Sequence, residues 1–430
     1  MTFRISVDRW LDSTETSPEI KATSALLAIR VNDQVLTRAE DLFGQTVNDA
    51  VRVSAYPLAH WLVSNWWRLR WESTADSMNL MPPDWRMTHE LPAIGHGYVW
   101  PPAELYSDGK SITVRAHTAS RRVHEPLRYI ARFTEECSAR DFEAGVDQFV
   151  DLVATRLSDV NSGANDLADR LAELRSERGD VAQARQRRVE ARLGLDPDED
   201  QALVRKFVSF SQTSGESALE ELAAGALGTQ QEDHYADVAT LPQLSGVEGS
   251  FEVTLPATAF PSTPWDCGRD AARAIRAQLG LNDGPVSNTK LGDLVGLVAS
   301  VFEATASPRR GPAVAIPKPD GHVKFVLQKS VSTSRRFEAA RLLGDHLLAD
   351  QPSDWRVATD AKTWRQRAQR AFAAELLAPI ESIRQTLDGD FEADRIEQLA
   401  RELDVSPFLV QSQLANNGLL DPGRVGATTV

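Results

Sequence analysis

The sequence predicts a multidomain α+β protein that is mostly helical. Its 430 residues exceed what one hydrophobic core ordinarily organises, which indicates two or three domains. Alternation of apolar and polar residues, typical of strands, is clearest near the N-terminus, and helical spacing of apolar residues prevails further along the chain. A hydrophobic content of 42% and a charged content of 25% are ordinary for a globular protein.

Residues 1–140 are predicted to form a mixed α/β domain. Its expected elements are a strand from Phe3 to Val7, a hairpin from Leu26 to Thr37 that turns at Asn32 and Asp33, a helix from Tyr56 to Glu72, and a strand from Ser111 to Ala116. Proline and glycine between Met81 and Pro102 predict a long loop.

Two further parts follow in the middle of the chain. Residues 141–229 carry apolar residues at helical spacing and are predicted to be helical, with a break at Gly179. Residues 230–264 are rich in glycine, proline, serine and threonine and lack a helical period. We expect them to form a linker with an extended piece from Phe251 to Leu255.

The last part of the chain is predicted to contain a core of helices and two strands, followed by a helical pair. Residues 265–390 form the core and residues 391–430 the tail. The core elements are expected at Asp266–Leu279, Lys290–Leu297, Ala313–Ile316, Val323–Leu327, Arg335–Leu348 and Thr363–Leu377, and the tail helices at Glu392–Leu403 and Pro407–Asn416.

Charge and cysteine content restrict the classes of function. The formal net charge of −14 disfavours binding to nucleic acid or to an anionic membrane unless a local patch reverses the sign. Cys137 and Cys267, the two cysteines, are far apart and provide no disulfide framework. The N-terminus has no signal-peptide pattern and no segment is apolar enough for a membrane span, so we expect a cytoplasmic protein. We also expect that the protein needs no cofactor.

Three short motifs in the core follow one another in a characteristic order. They are Arg335-Arg336-Phe337, Leu343-Gly344 seven residues later, and FAAELLAP at Phe372–Pro379. In this order they resemble the ImmA/IrrE family of zinc metallopeptidase-like proteins, over about 170 residues of the C-terminal part. The resemblance implies a zincin-like core followed by a helix-turn-helix-like tail.

The zinc-binding motif of that family is degenerate in this chain. The chemistry requires HExxH, in which two histidines one turn apart bind zinc and the glutamate positions the attacking water. In the register of the three motifs, Arg341 and Asp345 replace the histidines and Leu342 replaces the glutamate. The third ligand position falls on Gln366 or Ala368. The resemblance therefore implies a pseudo-peptidase with no catalytic residues and no metal ligands.

Arg341 is expected to occupy the position that zinc would take. A buried arginine needs a partner, and the candidates are Asp345, Asp360 and Glu375. We therefore predict that Arg341 pairs with a carboxylate.

Residues 301–374 form a basic stretch within an acidic chain. The residues that could bind a partner or nucleic acid are Arg309, Arg310, Lys324, Lys329, Arg335, Arg336, Arg365 and Arg370. A solvated surface or a dock for the acidic N-terminal part of the chain would explain the same pattern, and we favour that interpretation.

The tail and an aromatic cluster each leave two interpretations open. The tail has helix-turn-helix spacing, but the segment PFLVQSQLANN at Pro407–Asn417 contains no lysine or arginine, which favours packing over base recognition. Near the N-terminus, Trp66 and Trp67 project about 100° apart on one helix. One of them could belong to an interaction surface, although core packing is the default.

The resemblance implies a bacterial regulatory protein, linked to phage defence or to a mobile element, that binds a protein partner encoded nearby without cutting it. Two alternatives remain. One is a divergent metallopeptidase that acts on a repressor and draws ligands from His322, His346 and Asp360. The other is a DNA-binding regulator that uses the tail and the basic stretch. Zinc content and salt-dependent DNA binding separate these functions.

Overall fold

The structure, a computed structural model, describes residues 2–74, 81–120, 126–160, 166–227, 231–255, 263–281, 283–305, 308, 310–348, 354–421 and 425. The chain forms two compact units, Met1–Arg205 (unit 1) and Lys206–Val430 (unit 2). Each unit contains helices and antiparallel sheets, so the fold class is α+β with helix in excess of strand.

The described part of unit 1 contains three small antiparallel sheets and a group of helices. The strands are β1 (Phe3–Trp10), β2 (Ser24–Val31), β3 (Gln34–Val35), β4 (Ala39–Asp41), β5 (Thr46–Asn48), β6 (Val51–Ser54), β7 (Ala103–Ser107), β8 (Ser111–Ala116), β9 (Leu127–Tyr129) and β10 (Phe133–Ser138). The helices are α1 (Pro18–Ala22), α2 (Ala55–Ser64), α3 (Trp66–Trp71), α4 (Pro83–His89), α5 (Ala139–Asp159), α6 (Asp166–Gly179) and α7 (Val181–Leu193), followed by α8 (Gln201–Ser214), which crosses the boundary into unit 2.

Most elements predicted for the N-terminal part are confirmed, but the long loop predicted between Met81 and Pro102 is wrong in part, because it contains helix α4 (Pro83–His89). Strand β1 and the β2–β3 hairpin are present, and Asn32 adopts a positive φ of 52° at the turn. The predicted helix from Tyr56 to Glu72 is wrong in one respect, because it is divided at Asn65 into α2 and α3. The predicted break at Gly179 is confirmed, since the side chain of Asp180 caps the start of α7.

In unit 2 the described residues form one antiparallel sheet, in the order β11-β13-β12-β14, and the helices around it. The strands are β11 (Val247–Gly249), β12 (Ala313–Pro317), β13 (Val323–Val326) and β14 (Arg356–Ala358). The helices are α9 (Glu216–Ala224), α10 (Gln231–Thr240), α11 (Pro264–Gln278), α12 (Asn288–Val295), α13 (Ser332–Leu348), α14 (Trp364–Leu377), α15 (Ile380–Leu387), α16 (Ala393–Leu403) and α17 (Pro407–Asn416).

The segment 230–264 corrects one prediction. It contains helix α10 and strand β11, and Phe251–Leu255 has no regular strand structure. Val238 on α10 is fully buried, so packing against the core of unit 2 stabilises a helix that composition did not reveal. The division of the sequence into five parts stays a prediction.

Helix α14 lies at the centre of unit 2 and is approached closely by two neighbours. A Cβ atom on Gly268 of α11 would lie 2.2 Å from the carbonyl oxygen of Ala368, and one on Gly344 of α13 would lie 2.7 Å from Cδ1 of Phe372. Phe372, Leu343 and Leu376 are fully buried at these crossings. The two glycines therefore set the distance of α11 and α13 from α14.

Among the helices that the structure describes, none combines the length and the apolar character that a bilayer span requires.

Candidate functional site: a buried arginine beneath a cleft

Three of the four degenerate motif positions meet in one buried polar network. Arg341 and Asp345 lie one turn apart on α13, and Gln366 lies on the first turn of α14. Their exposed fractions are 7%, 1% and 0%. Leu342, the fourth position, is fully buried in the apolar core. Ala368, the alternative to Gln366, is buried beside Cys267.

Arg341 is held by uncharged acceptors. Its Nη2 donates to the carbonyl oxygen of Thr359 and to Oε1 of Gln366, each at 2.6 Å. Its Nε is enclosed without an acceptor. Within the described residues no carboxylate lies in ion-pair distance of Arg341, so the predicted carboxylate partner is wrong. Burial lowers the pKa of Arg341, and the nearest negative charges, led by Asp360 and Glu338, oppose that shift.

Asp345 forms a two-point ion pair with Arg365 of α14 instead. The distances are 2.5 Å from Nε to Oδ1 and 2.6 Å from Nη2 to Oδ2. Burial acts to lower the pKa of Arg365, but the charge and hydrogen bonds of Asp345 outweigh it and raise that pKa. The second motif position on α13 is therefore engaged by a cation from the neighbouring helix.

The network also provides hydrogen-bond partners for backbone groups at the outer edge of strand β14. The N–H of Val357 donates to Oδ2 of Asp345 at 3.0 Å, and its carbonyl accepts from Nε2 of Gln366 at 2.9 Å. The N–H of Thr359 donates to Oε1 of Gln366 at 2.9 Å. An edge strand otherwise exposes unpaired backbone groups, so these side chains close the sheet at this edge.

A cleft of 1460 Å³ opens above the network. Helices α11, α13, α14 and α17 line it, and Arg341 is part of its wall. Trp265, Phe337 and Phe408 contribute aromatic surface to the same cleft, and Trp265 and Phe408 are 46% and 60% exposed. The cleft therefore combines the charged side chain of Arg341 with aromatic surface that is open to solvent.

The basic stretch is not one continuous surface. Arg336 is 1% exposed and donates to Oδ2 of Asp404 and Oδ1 of Asn288, each at 2.6 Å, and Arg365 pairs with Asp345. Their membership of a surface patch is therefore wrong, because both cations are enclosed by long-range partners.

The remaining basic residues separate into two groups. Lys324 and Arg335 donate to backbone carbonyls of Pro242, Leu244, Val301 and Lys329. The cations that line the cleft include Arg310, Lys329 and Arg370. Arg309 lies outside the described residues.

The residues proposed as alternative metal ligands, His322, His346 and Asp360, do not lie together in one site. His346 stacks on Phe251 with ring centroids 4.1 Å apart, His322 lies exposed beside the β12–β13 turn, and Asp360 lines the cleft. Across the described part of the chain, no cluster of three or more histidine, cysteine or acidic side chains could hold a metal ion.

The tail forms a helix pair that packs onto unit 2. Gln411 and Gln413 of α17 are buried, and Nε2 of Gln413 donates to the carbonyl oxygen of Ala378 at 2.9 Å. Asn416 and Asn417 lie in the wall of the cleft. These contacts engage Gln413 in packing rather than leaving it open for base recognition.

Trp66 and Trp67 do not form an interaction surface. Both are buried in unit 1, at 4% and 6% exposure, and their rings meet edge-on at 4.8 Å. Nε1 of Trp67 donates to Glu177 at 2.7 Å, and Arg178 lies over the ring of Trp66. The core interpretation is therefore the one the structure bears out.

Sequence reasoning missed Glu338, Trp265 and Phe408. Glu338 precedes Arg341 by three residues, and that spacing places the two on one helix face. The aromatic residues lie near helix starts, Trp265 at the start of α11 and Phe408 at the start of α17, without a distinguishing local pattern.

Comparison with protein-family models, with curated proteins and with solved structures finds no match to this chain.

Proposed function

We propose that the chain is a non-catalytic, ImmA/IrrE-like protein, regulatory or defence-linked, that binds a segment of a protein partner in the cleft of unit 2. The observation that carries this proposal is the meeting of Arg341, Asp345 and Gln366 beneath the cleft. The motif register, which rests on the sequence alone, assigns zinc ligands to these three positions.

The chemistry of these side chains supports binding without cleavage. An arginine stays protonated and cannot ligate zinc, and Leu342 cannot act as a general base. Asp345, the remaining oxygen ligand, is held by Arg365 and by the N–H of Val357. A metal at this place would have to displace a guanidinium and break that ion pair.

The cleft itself favours a protein segment as occupant. Its volume of 1460 Å³ exceeds the usual range of about 300–1,000 Å³ for small-molecule pockets. Exposed aromatic residues such as Trp265 and Phe408 are typical of surfaces that bind other proteins. The two alternatives have less support, since the candidate ligands are dispersed and several of the cations proposed for DNA are engaged internally.

Elemental analysis tests the non-catalytic part of the proposal. We expect no stoichiometric zinc in protein purified without chelators, and no cleavage of peptides when zinc is added. About one zinc per chain that is lost in His346→Ala would overturn it, because that result would mean that a ligand set forms around His346.

Selection of random peptides on the intact chain tests the binding part. We expect selected peptides to bind Phe408→Asp at least about tenfold more weakly. Val298→Asp is the matched control, because Val298 is similarly exposed at 67% and does not line the cleft. Failure to select peptides, or equal binding to both variants, would refute the cleft as the binding site.

A further inference from the structure

We infer that Arg341 is the receptor for a carboxylate group, supplied by an acidic side chain of the protein segment that occupies the cleft. This inference rests on the proposed function and names the chemistry of its partner. In this arrangement the site keeps a positive charge where the motif register places zinc, but the charge belongs to the protein and it binds an anion rather than polarising a peptide bond.

The first argument is that none of the described residues supplies a counter-ion to Arg341. Its side chain is only 7% exposed, yet its two hydrogen bonds both come from Nη2 and end on neutral oxygens. Nε is enclosed without an acceptor. The hydrogen bonds of Arg341 to described residues both come from Nη2, and a buried cation ordinarily has a carboxylate beside it, so Nη1 is the donor left for a ligand.

The second argument is that three of the four nearby carboxylates are committed elsewhere and that the fourth, Asp360, does not pair with Arg341. Glu338 accepts from the backbone N–H groups of Gln328 and Lys329 at 2.9 and 3.1 Å. Glu375 pairs with Arg273 at 2.8 Å, and Asp345 pairs with Arg365. Asp360 is exposed and forms no ion pair with Arg341. None of the four neutralises the guanidinium directly.

The third argument is that the fold does not need the hydrogen bonds of Arg341. The carbonyl oxygen of Thr359 also accepts from Arg370, and Oε1 of Gln366 also accepts from the N–H of Thr359. Removal of Arg341 would leave each acceptor with another donor. A buried charge that the surrounding structure can dispense with suits a role in binding.

The surroundings favour a carboxylate over a phosphate. Glu338 and Asp360 both lie close enough to influence the charge of Arg341. They would repel a dianion more strongly than a monoanion.

Two measurements on the full chain test the inference. In the first, acetate is titrated while the Nε–H resonance of Arg341 is followed by NMR, with inorganic phosphate as the comparison anion and Arg341→Met to assign the signal. We expect a saturable shift with acetate. A missing shift, or tighter binding of phosphate, would overturn the carboxylate assignment.

In the second measurement, peptides selected on the wild type are synthesised with each Asp or Glu replaced by Asn or Gln. We expect one such replacement to weaken binding to the wild type at least about tenfold and to leave binding to Arg341→Met unchanged, which is the signature of a direct contact in a double-mutant cycle. Arg395 is a partly exposed arginine outside the cleft, and Arg395→Gln should retain the wild-type preference.

The two failures can be told apart. Peptides that bind in a Phe408-dependent manner but ignore both acidity and Arg341 would overturn this inference and leave the proposed function standing. A saturable acetate shift without any peptide binding would overturn the protein segment as the source of the carboxylate, and with it the proposed function.

Discussion

Nη2 of Arg341 lies 2.6 Å from Oε1 of Gln366, so side chains from the first and third aligned ligand positions contact each other across the crossing of α13 and α14. The same amide oxygen accepts from the N–H of Thr359, and the amide nitrogen donates to the carbonyl oxygen of Val357. Gln366 thus links both helices to strand β14 without any charge of its own.

The first prediction concerns the stability cost of the unpaired guanidinium. Arg341→Met removes a buried charge and leaves its acceptors with other donors, so the free energy of unfolding should be unchanged or raised by about 1–2 kcal/mol. Arg336→Met on the same helix should instead lose about 1–3 kcal/mol, because the buried carbonyl oxygen of Val286 is deprived of the donor Nη2. Urea unfolding of both variants makes the comparison. A loss above about 3 kcal/mol in Arg341→Met would show that the guanidinium stabilises the fold.

The second prediction concerns the Asp345–Arg365 pair. Arg365→Met leaves a carboxylate that is 1% exposed without its cation, and it should lower the free energy of unfolding by about 3–5 kcal/mol. Adding Asp345→Asn should recover part of that loss, since the amide oxygen still accepts from Val357 and carries no charge. Chemical denaturation of the single and double variants gives the coupling. If the double variant is no more stable than Arg365→Met, the buried charge is not the cause of the loss.

Local spacing predicted which residues share one helix face, but it could not predict partners that are distant in the sequence. The register brought Arg341 near Gln366. It failed for the acceptors of Arg341, because the carbonyl oxygen of Thr359 follows β14, a strand too short to show a period.

Arg336 illustrates the same limit. In sequence it belongs to a basic stretch, but its partner Asp404 lies 68 residues further along the chain, at the turn between α16 and α17. Contacts with the tail, with Asn288 and with Val286 enclose the guanidinium, so charge counting along the sequence could not separate it from solvent-exposed neighbours such as Arg310.

The third prediction concerns the close approach of α13 to α14. Gly344→Ala places a Cβ 2.7 Å from Cδ1 of Phe372, a fully buried ring, and should cost about 1–3 kcal/mol. Gly179→Ala is the matched control, because no atom lies within 4 Å of its added Cβ, and alanine should leave stability unchanged or raise it by up to about 1 kcal/mol. Thermal and urea unfolding should agree on the order of the two variants. Equal stability of the two would mean that the helices can separate freely at Gly344.

The fourth prediction follows from the environment of His346. Burial, together with the positive charge of Arg356, lowers the pKa of the imidazole to about 4, and Asp345 opposes the shift only in part. In the unfolded chain the pKa should be about 6.5, so between these values the unfolded state binds the proton and the folded state does not. Stability therefore falls as the pH decreases through this window, and the contribution of His346 is fully present only above about pH 6.5.

The size of that contribution is limited by solvent. The whole shift corresponds to about 3 kcal/mol, and because the ring is partly exposed we expect about 1–2 kcal/mol between pH 7 and pH 4. His346→Phe keeps an aromatic ring to stack on Phe251 and removes the titration. The unfolding free energy of the variant should decline less over this range than that of the wild type, whereas His322→Gln, on an exposed turn, should follow the wild type. Parallel pH profiles for the wild type and His346→Phe would mean that the imidazole is hydrated in the folded protein and that its stacking on Phe251 does not exclude water.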